Sequence, residues 1–317
     1  MQAASELRAL LVRIAGAGFP ALSKRHASWG SLMLLLRLVL SLSCLVFTVQ
    51  GAASAQPESS EIAPQQLIPH RAIYDLSLAE GRGAAGVRAV QGRAVYEFAR
   101  NACDSVSLSY RQAMTMDSGE GANSTLDFRS VTEENDAGTA FSFDSTNVVG
   151  GKTENQTKGR AQRTSLGSDA LVTLLEPQRT GAQLEPGVLF PTQHLRRVLA
   201  AAKSGKAMLQ AELFEGSEPG DVVQASLTVI GKVRTAASEL EPALLNAGMG
   251  NLQRWPMTIS YFDKDDDSGE QTPKFTFGAE VFQNGISRAL RLDYGTFALT
   301  GRLVGLEILP RPTCPPR

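Results

Sequence analysis

The chain has 317 residues, with 31 lysines and arginines against 32 aspartates and glutamates, a net charge of −1 at pH 7. So even a balance argues against nucleic acid and against unspecific attachment to anionic lipid. No HExxH, CxxC or G-x-S-x-G stands in the sequence, so it advertises neither a zinc site nor an acyl-transfer nucleophile.

The first element in chain order is an apolar run, Ser31 to Val49, broken once by Arg37. Leu38 to Val49 has the length of a secretory core and falls short of a membrane span. Ala53-Ser54-Ala55 follows as a small-x-small cleavage site, so residues 1–55 read as an export signal cut between Ala55 and Gln56. Met33 would begin a more compact version of the same signal. A lipoprotein reading through Cys44 is weak, because Ser41 stands where a lipobox needs leucine. Residues 1–55 hold five bases and one acid, so the mature chain keeps 26 bases and 31 acids, a net charge near −5. It also keeps two cysteines, Cys103 and Cys314, and an even pair in an oxidising compartment reads as one disulfide. A soluble periplasmic protein whose mature form does not span the membrane is the expectation.

Residues 56–66 are polar with two prolines and read as a flexible leader; residues 67–317 read as a single domain. From Leu67 the pattern is of short alternating segments punctuated by Gly, Asp, Asn and Ser. Strands are predicted at 72–78, 93–98, 106–116, 126–132, 140–149 and 171–175. Further strands fall at 208–214, 222–233, 257–262, 275–282, 287–292 and 297–309. One amphipathic helix is predicted, capped by Thr192, with Leu195, Val198, Leu199 and Ala202 on one stripe and Gly205 just past its end. Its other face carries Arg196, Arg197 and Lys203. Residues 235–251 read as a loop insertion. The expected fold is all-β, a barrel, sandwich or open curled sheet with the helix plugging or covering its concave face.

Five segments carry a resemblance. Pro69-His70-Arg71-Ala72-Ile73-Tyr74-Asp75-Leu76, Gly92-Arg93-Ala94-Val95-Tyr96-Glu97-Phe98 and Phe190-Pro191-Thr192-Gln193-His194 are three of them. The others are Trp255-Pro256-Met257-Thr258-Ile259-Ser260-Tyr261-Phe262-Asp263 and Asn284-Gly285-Ile286-Ser287-Arg288-Ala289-Leu290-Arg291-Leu292-Asp293-Tyr294-Gly295. In this order they resemble the EipB family, cell-envelope integrity proteins of alphaproteobacteria, from about Leu67 to Cys314. The resemblance implies a periplasmic β-spiral, a long antiparallel sheet curled into an incomplete barrel around a helix. It also implies a disulfide between an early and a C-terminal cysteine, which fall on Cys103 and Cys314.

Candidate sites are few. His194 lies on the first turn of the helix, where a satisfied polar role or exposure is expected. His70, beside Arg71, is expected to be a structural hydrogen-bonder. Asp263-Lys264-Asp265-Asp266-Asp267-Ser268-Gly269-Glu270 has the acids of a calcium loop. Ser268 and Lys274 occupy the positions that need Gly and Glu, and the segment reads as a solvated hairpin loop. Trp255, Tyr261 and Phe262 are either core or the wall of a cavity. The expected function is non-enzymatic support of the envelope through binding another periplasmic or envelope protein, with no cofactor and no metal. The alternative is a carrier of lipid or lipoprotein holding an acyl chain in the curled sheet.

Overall fold

The computed structural model describes residues 66–79, 87–102, 104–117, 119, 123–216, 219–263 and 272–312. The export signal with its Ala55–Gln56 cleavage site, Cys103, Cys314 and the acidic segment 264–271 lie outside the described residues.

Fourteen strands follow one another: β1 (His70–Leu78), β2 (Ala89–Ala102), β3 (Ser105–Asp117), β4 (Asn123–Asn135), β5 (Ala140–Val149), β6 (Lys152–Gln162), β7 (Ala170–Glu176) and β8 (Thr180–Leu184). After helix α1 (Pro191–Lys203) come β9 (Met208–Leu213) and β10 (Gln224–Ile230). A 3₁₀ turn (Ala237–Glu239) and the short helix α2 (Pro242–Asn246) precede β11 (Arg254–Asp263), β12 (Phe275–Phe282), β13 (Ser287–Asp293) and β14 (Ala298–Ile308). All belong to one antiparallel sheet in the order β8-β7-β6-β5-β4-β3-β2-β1-β14-β13-β12-β11-β10-β9. Its middle is the β1–β14 pairing of the first strand with the last.

The two outermost strands do not pair with each other. The chain leaving β8 instead makes a single parallel bridge at Leu189 to Leu213 of β9. Phe214, just beyond β9, packs with Phe141 and Phe143 of β5 and with Phe190 in a second, smaller core. A Cβ on Gly216 would lie 2.2 Å from Phe143 Cγ, so one end of the sheet tucks against the inner face of the other. The result is a spiral, not a closed barrel.

Alternation sets the faces. Ala72, Tyr74 and Leu76 of β1 are buried, while Arg71 and Asp75 point outward to Glu97 and Arg93 across the β1–β2 pair. The predicted strands are all present. The sequence reading omits two, β6 and β8. The inward positions of β6 are Thr157, Gly159 and Ala161, and a Cβ on Gly159 would come within 2.5 Å of Phe143 Cζ. The space allows only small side chains there, so no apolar alternation is written into the sequence.

Helix α1 packs Val198, Leu199, Ala201 and Ala202 into the main core, with Leu195 at its edge. The cap differs from expectation. Phe190 occupies the cap position with no side-chain bond, and Thr192 N–H donates to Glu134 Oε2 of β4 at 2.7 Å. The helix is also buried on more than one stripe, since Gln193 and His194 are enclosed and Arg196 pairs with Asp136. Residues 235–251 are more than a loop: Leu240, Leu244 and Met249 join the main core. A buried ionic cluster ties this segment down. Arg254 donates to Glu280 and to Ala236 O, while Arg288 donates to Glu241, Glu280 and Glu239 O. Among the described residues no helix is long and apolar enough to cross a membrane.

Candidate functional site

The interior of the curl divides into a filled and an unfilled part. Phe98, Val106, Trp255, Phe282, Ile286 and the helix residues Val198 and Leu199 are fully buried and close one part. Elsewhere inward positions keep accessible surface, and they follow the register of the sheet. Tyr96, Tyr110, Ser130 and Ser145 form one inward row across β2 to β5, and Gln112, Phe128 and Asn147 the next across β3 to β5. From the other half of the sheet come Tyr261 of β11 and Phe275 and Phe277 of β12, with Tyr294 just after β13.

All five tyrosines of the chain belong to this interior or its floor. Tyr96, Tyr110, Tyr261 and Tyr294 are only partly covered by surface measure, yet burial raises every one of their phenols above its ordinary range. Their rings are desolvated by the surrounding sheet although part of their surface stays accessible. Tyr74 lies deeper and donates to Ser287 O at 2.8 Å.

The rings are ordered. Tyr261 stacks on Phe275 at 5.8 Å, Phe275 meets Tyr294 at 5.1 Å, and Tyr294 stacks on Phe297 at 5.1 Å. Tyr110 and Phe128 stand 6.2 Å apart on the facing strands. Gln112 links the two groups, accepting from the Tyr110 hydroxyl (2.6 Å) and donating from Nε2 to the Tyr294 oxygen (3.3 Å). A wall of this kind combines apolar area with hydrogen-bonding tips, as ligand sites do.

One buried polar group at this wall lacks a hydrogen-bond partner. Asn147 is 1% exposed, and neither its amide nitrogen nor its oxygen finds a hydrogen bond. Glu215 follows Phe214; desolvation raises its carboxyl to about 7, and its charge in turn raises the Tyr261 phenol. No basic side chain pairs with it among the described residues. None of Asn147, Glu215 and Gln112 is signalled by a motif; only their inward register reveals them.

The residues singled out from sequence have quieter places. His70 is buried, with Nδ1 2.8 Å from Ile68 O, and burial lowers its pKa against that bond. This is the structural role expected of it. His194 is not exposed: burial and then Arg197 lower it to about 4, and its Nε2 lies 3.4 Å from Ser226 Oγ. Ser226 donates its own proton to Ala211 O at 2.9 Å, so the pair is not arranged as base and nucleophile. Trp255 is core, whereas Tyr261 is wall. Among the described residues no cluster of His, Cys, Asp and Glu is placed to hold a metal ion.

Comparison with known proteins agrees with this architecture. A family model described as EipB-like matches residues 61–310. The chain belongs to the EipB-like family. The cell envelope integrity protein EipB of Brucella abortus (strain 2308) is 32% identical over 263 residues, which cover 83% of this chain and 91% of that protein. The crystal structure of a beta-barrel-like protein of domain of unknown function DUF1849, also from Brucella abortus, superposes with a TM-score of 0.69 at 31% identity. It covers 77% of this chain and 99% of its own. EipB-like membership fits the spiral sheet and rests on strands from both halves of the chain.

Proposed function

We propose that this EipB-like chain is an exported, non-enzymatic protein that supports cell-envelope integrity by binding another envelope component, and that the spiral's interior receives part of it. The observation that carries this reading is the contrast within one curl. One part is filled by α1 and the core, while the other is an accessible wall of tyrosine and phenylalanine in which the described residues assemble no nucleophile with its base. Binding without chemistry is what such a wall supports. The envelope role follows the name of the Brucella relative. A periplasmic location after cleavage at Ala55 follows the export signal in the sequence.

The carrier reading is a version of the same site. In it the occupant is a lipid or lipoprotein acyl chain, and the protein delivers it. Native mass spectrometry of the protein released gently from the periplasm separates the two. A co-purifying lipid favours the carrier, a protein partner favours the scaffold, and an empty monomer from every extraction removes support from both. A deletion strain is expected to become more sensitive to detergent and to cell-wall antibiotics. Complementation is expected to require the export signal, and unchanged sensitivity in the deletion strain overturns the envelope role.

A further inference from the structure

We propose that the outer face at the start of β9 and the end of β10 docks the protein on a membrane surface of anionic phospholipid headgroups. This face is separate from the interior and needs no occupant there. Met208 and Val229 stand directly opposite each other on β9 and β10 and are 61% and 47% exposed. Thr228 and Ile230, on either side of Val229, are buried, so Val229 points outward. Val233, four residues further on, is also exposed. Lys203 ends α1, Lys206 lies in the turn into β9, and Lys232 lies just past β10; all three are exposed. Ile230 N–H donates to Ala207 O at 2.8 Å, so Lys206 and Lys232 leave the strand pair at the end that carries Met208 and Val229.

The charge here is one-sided. Residues 192–211, 222–238 and 249–262, which supply most of α1, β9, β10 and β11, contain no aspartate or glutamate. The acids of the adjoining ionic cluster are matched one for one, Glu239, Glu241 and Glu280 against Arg234, Arg254 and Arg288. Lys158 and Lys274 pair with Asp144 and Asp263, whereas Lys203, Lys206 and Lys232 have no ion pair among the described residues. The near-even charge of the whole chain hides this local excess. Unpaired lysines around exposed methionine and valine suit a fluid anionic surface. Their ammonium groups reach headgroup phosphates while the apolar tips enter the acyl boundary. A fixed carboxylate on a protein partner is better met by the fork of an arginine, and Arg196, Arg234 and Arg254 are already committed to acids.

Vesicle flotation of the exported chain tests this, with phosphatidylcholine alone or with about one third phosphatidylglycerol added. The anionic vesicles should bind about tenfold more tightly or better, and that advantage should fall in high salt. Each lysine near such a surface changes partitioning by about fivefold, so Lys203→Gln, Lys206→Gln and Lys232→Gln together should abolish the preference. Lys152→Gln, at an exposed lysine that begins β6, should change nothing. Met208→Ser with Val229→Thr should weaken binding to the anionic vesicles and leave its salt dependence in place. All these positions are exposed, so each variant should melt as the unaltered chain does. Equal binding to both vesicles, or a preference that survives the triple substitution, overturns membrane docking. Absence of binding to either vesicle overturns it as well, and periplasmic crosslinks lost only in the triple variant would then give this face to an acidic protein.

Discussion

The backbone N–H of Thr192, in the first turn of α1, donates to Glu134 Oε2 at 2.7 Å, across 58 residues of sequence. Glu134 is 2% exposed at the end of β4, and its other oxygen has no hydrogen-bond partner. A carboxylate placed there satisfies a donor that the helix itself cannot, and it faces the positive end of the helix dipole. The strand that forms one wall of the curl thus also fixes where the plugging helix begins.

Glu134→Ala removes this partner and leaves a buried N–H unpaired, an expected loss of about 1–3 kcal/mol. Glu134→Gln keeps an acceptor and should lose less. Urea unfolding followed by circular dichroism measures both. Equal losses in the two variants would mean that volume, not the hydrogen bond, is what the helix needs.

The buried ionic cluster makes a sharper demand. Arg254 has a fully buried guanidinium that donates to Glu280 at 3.0 Å, and its Nη1 has no hydrogen-bond partner among the described residues. Burial pushes the Glu280 carboxyl up, but Arg288 and Arg254 outweigh it and hold it below its usual range. Glu280→Ala should cost about 3–5 kcal/mol, because it strands a buried cation. Limited proteolysis should then cut within 235–251 first. A variant that melts normally would show that the cluster does not fasten this segment.

These two cases mark how far the sequence was legible. Strand patterns and the Leu195, Val198, Leu199 stripe are local, so alternation and helical spacing reveal them. Glu134 and Glu280 are not local. Each is an ordinary strand acid until the fold brings Thr192 or Arg254 to it. The strand β6 was hidden for a different reason, since its inward residues Thr157, Gly159 and Ala161 are small, with Phe143 leaving no room for a side chain at Gly159, and they make no apolar rhythm. The wall was hidden too. An inward aromatic that keeps accessible surface and one in packed core have the same alternation, and only the curl of the sheet separates Tyr261 from Trp255.

Stability should respond to pH through two groups of opposite sign. His194 has a folded pKa near 4, below its unfolded value of about 6.5, so the unfolded chain binds more protons between those values. Its contribution is therefore full above about pH 6.5 and is lost as pH falls toward 4, by at most about 3 kcal/mol. Glu215 has a folded pKa near 7, above its unfolded value, so the folded chain binds more protons between about pH 4.5 and 7. Stability it supports at low pH is lost as pH rises through 7, by less than about 3 kcal/mol because its side chain keeps some accessible surface. Glu215→Gln should therefore raise the unfolding free energy at pH 8 and change little at pH 5. His194→Gln should flatten the acid limb. Matching pH profiles for the variants and the unaltered chain would show that neither group is enclosed as described.

Cys103 and Cys314 lie outside the described residues, and the bridge expected from the sequence can be tested directly. His70 of β1 stands opposite both Phe98 of β2 and Ile308 of β14. Those two strands run past His70 in the same direction, and Leu309 still donates to Pro69 O at 2.9 Å. The described ends of β2 and β14 therefore lie at the same end of the sheet, and in sequence Cys103 follows Phe98 by five residues and Cys314 follows Ile308 by six. Strands flanking a common neighbour are about 9–10 Å apart, and a disulfide needs Cα atoms within about 7 Å, a gap that a few loop residues close readily. The enclosed loop spans nearly the whole sheet, and the chain-entropy model assigns such a loop roughly 5 kcal/mol as an upper figure. Non-reducing peptide mapping of protein taken from the periplasm should recover the two cysteines in one linked fragment. Cys314→Ser should lower the melting temperature by several degrees and bring early proteolysis to the end of β14. Two freely alkylatable thiols in the folded, exported protein would refute the bridge, and the last strand would then be held by its pairing with β1 and β13 alone.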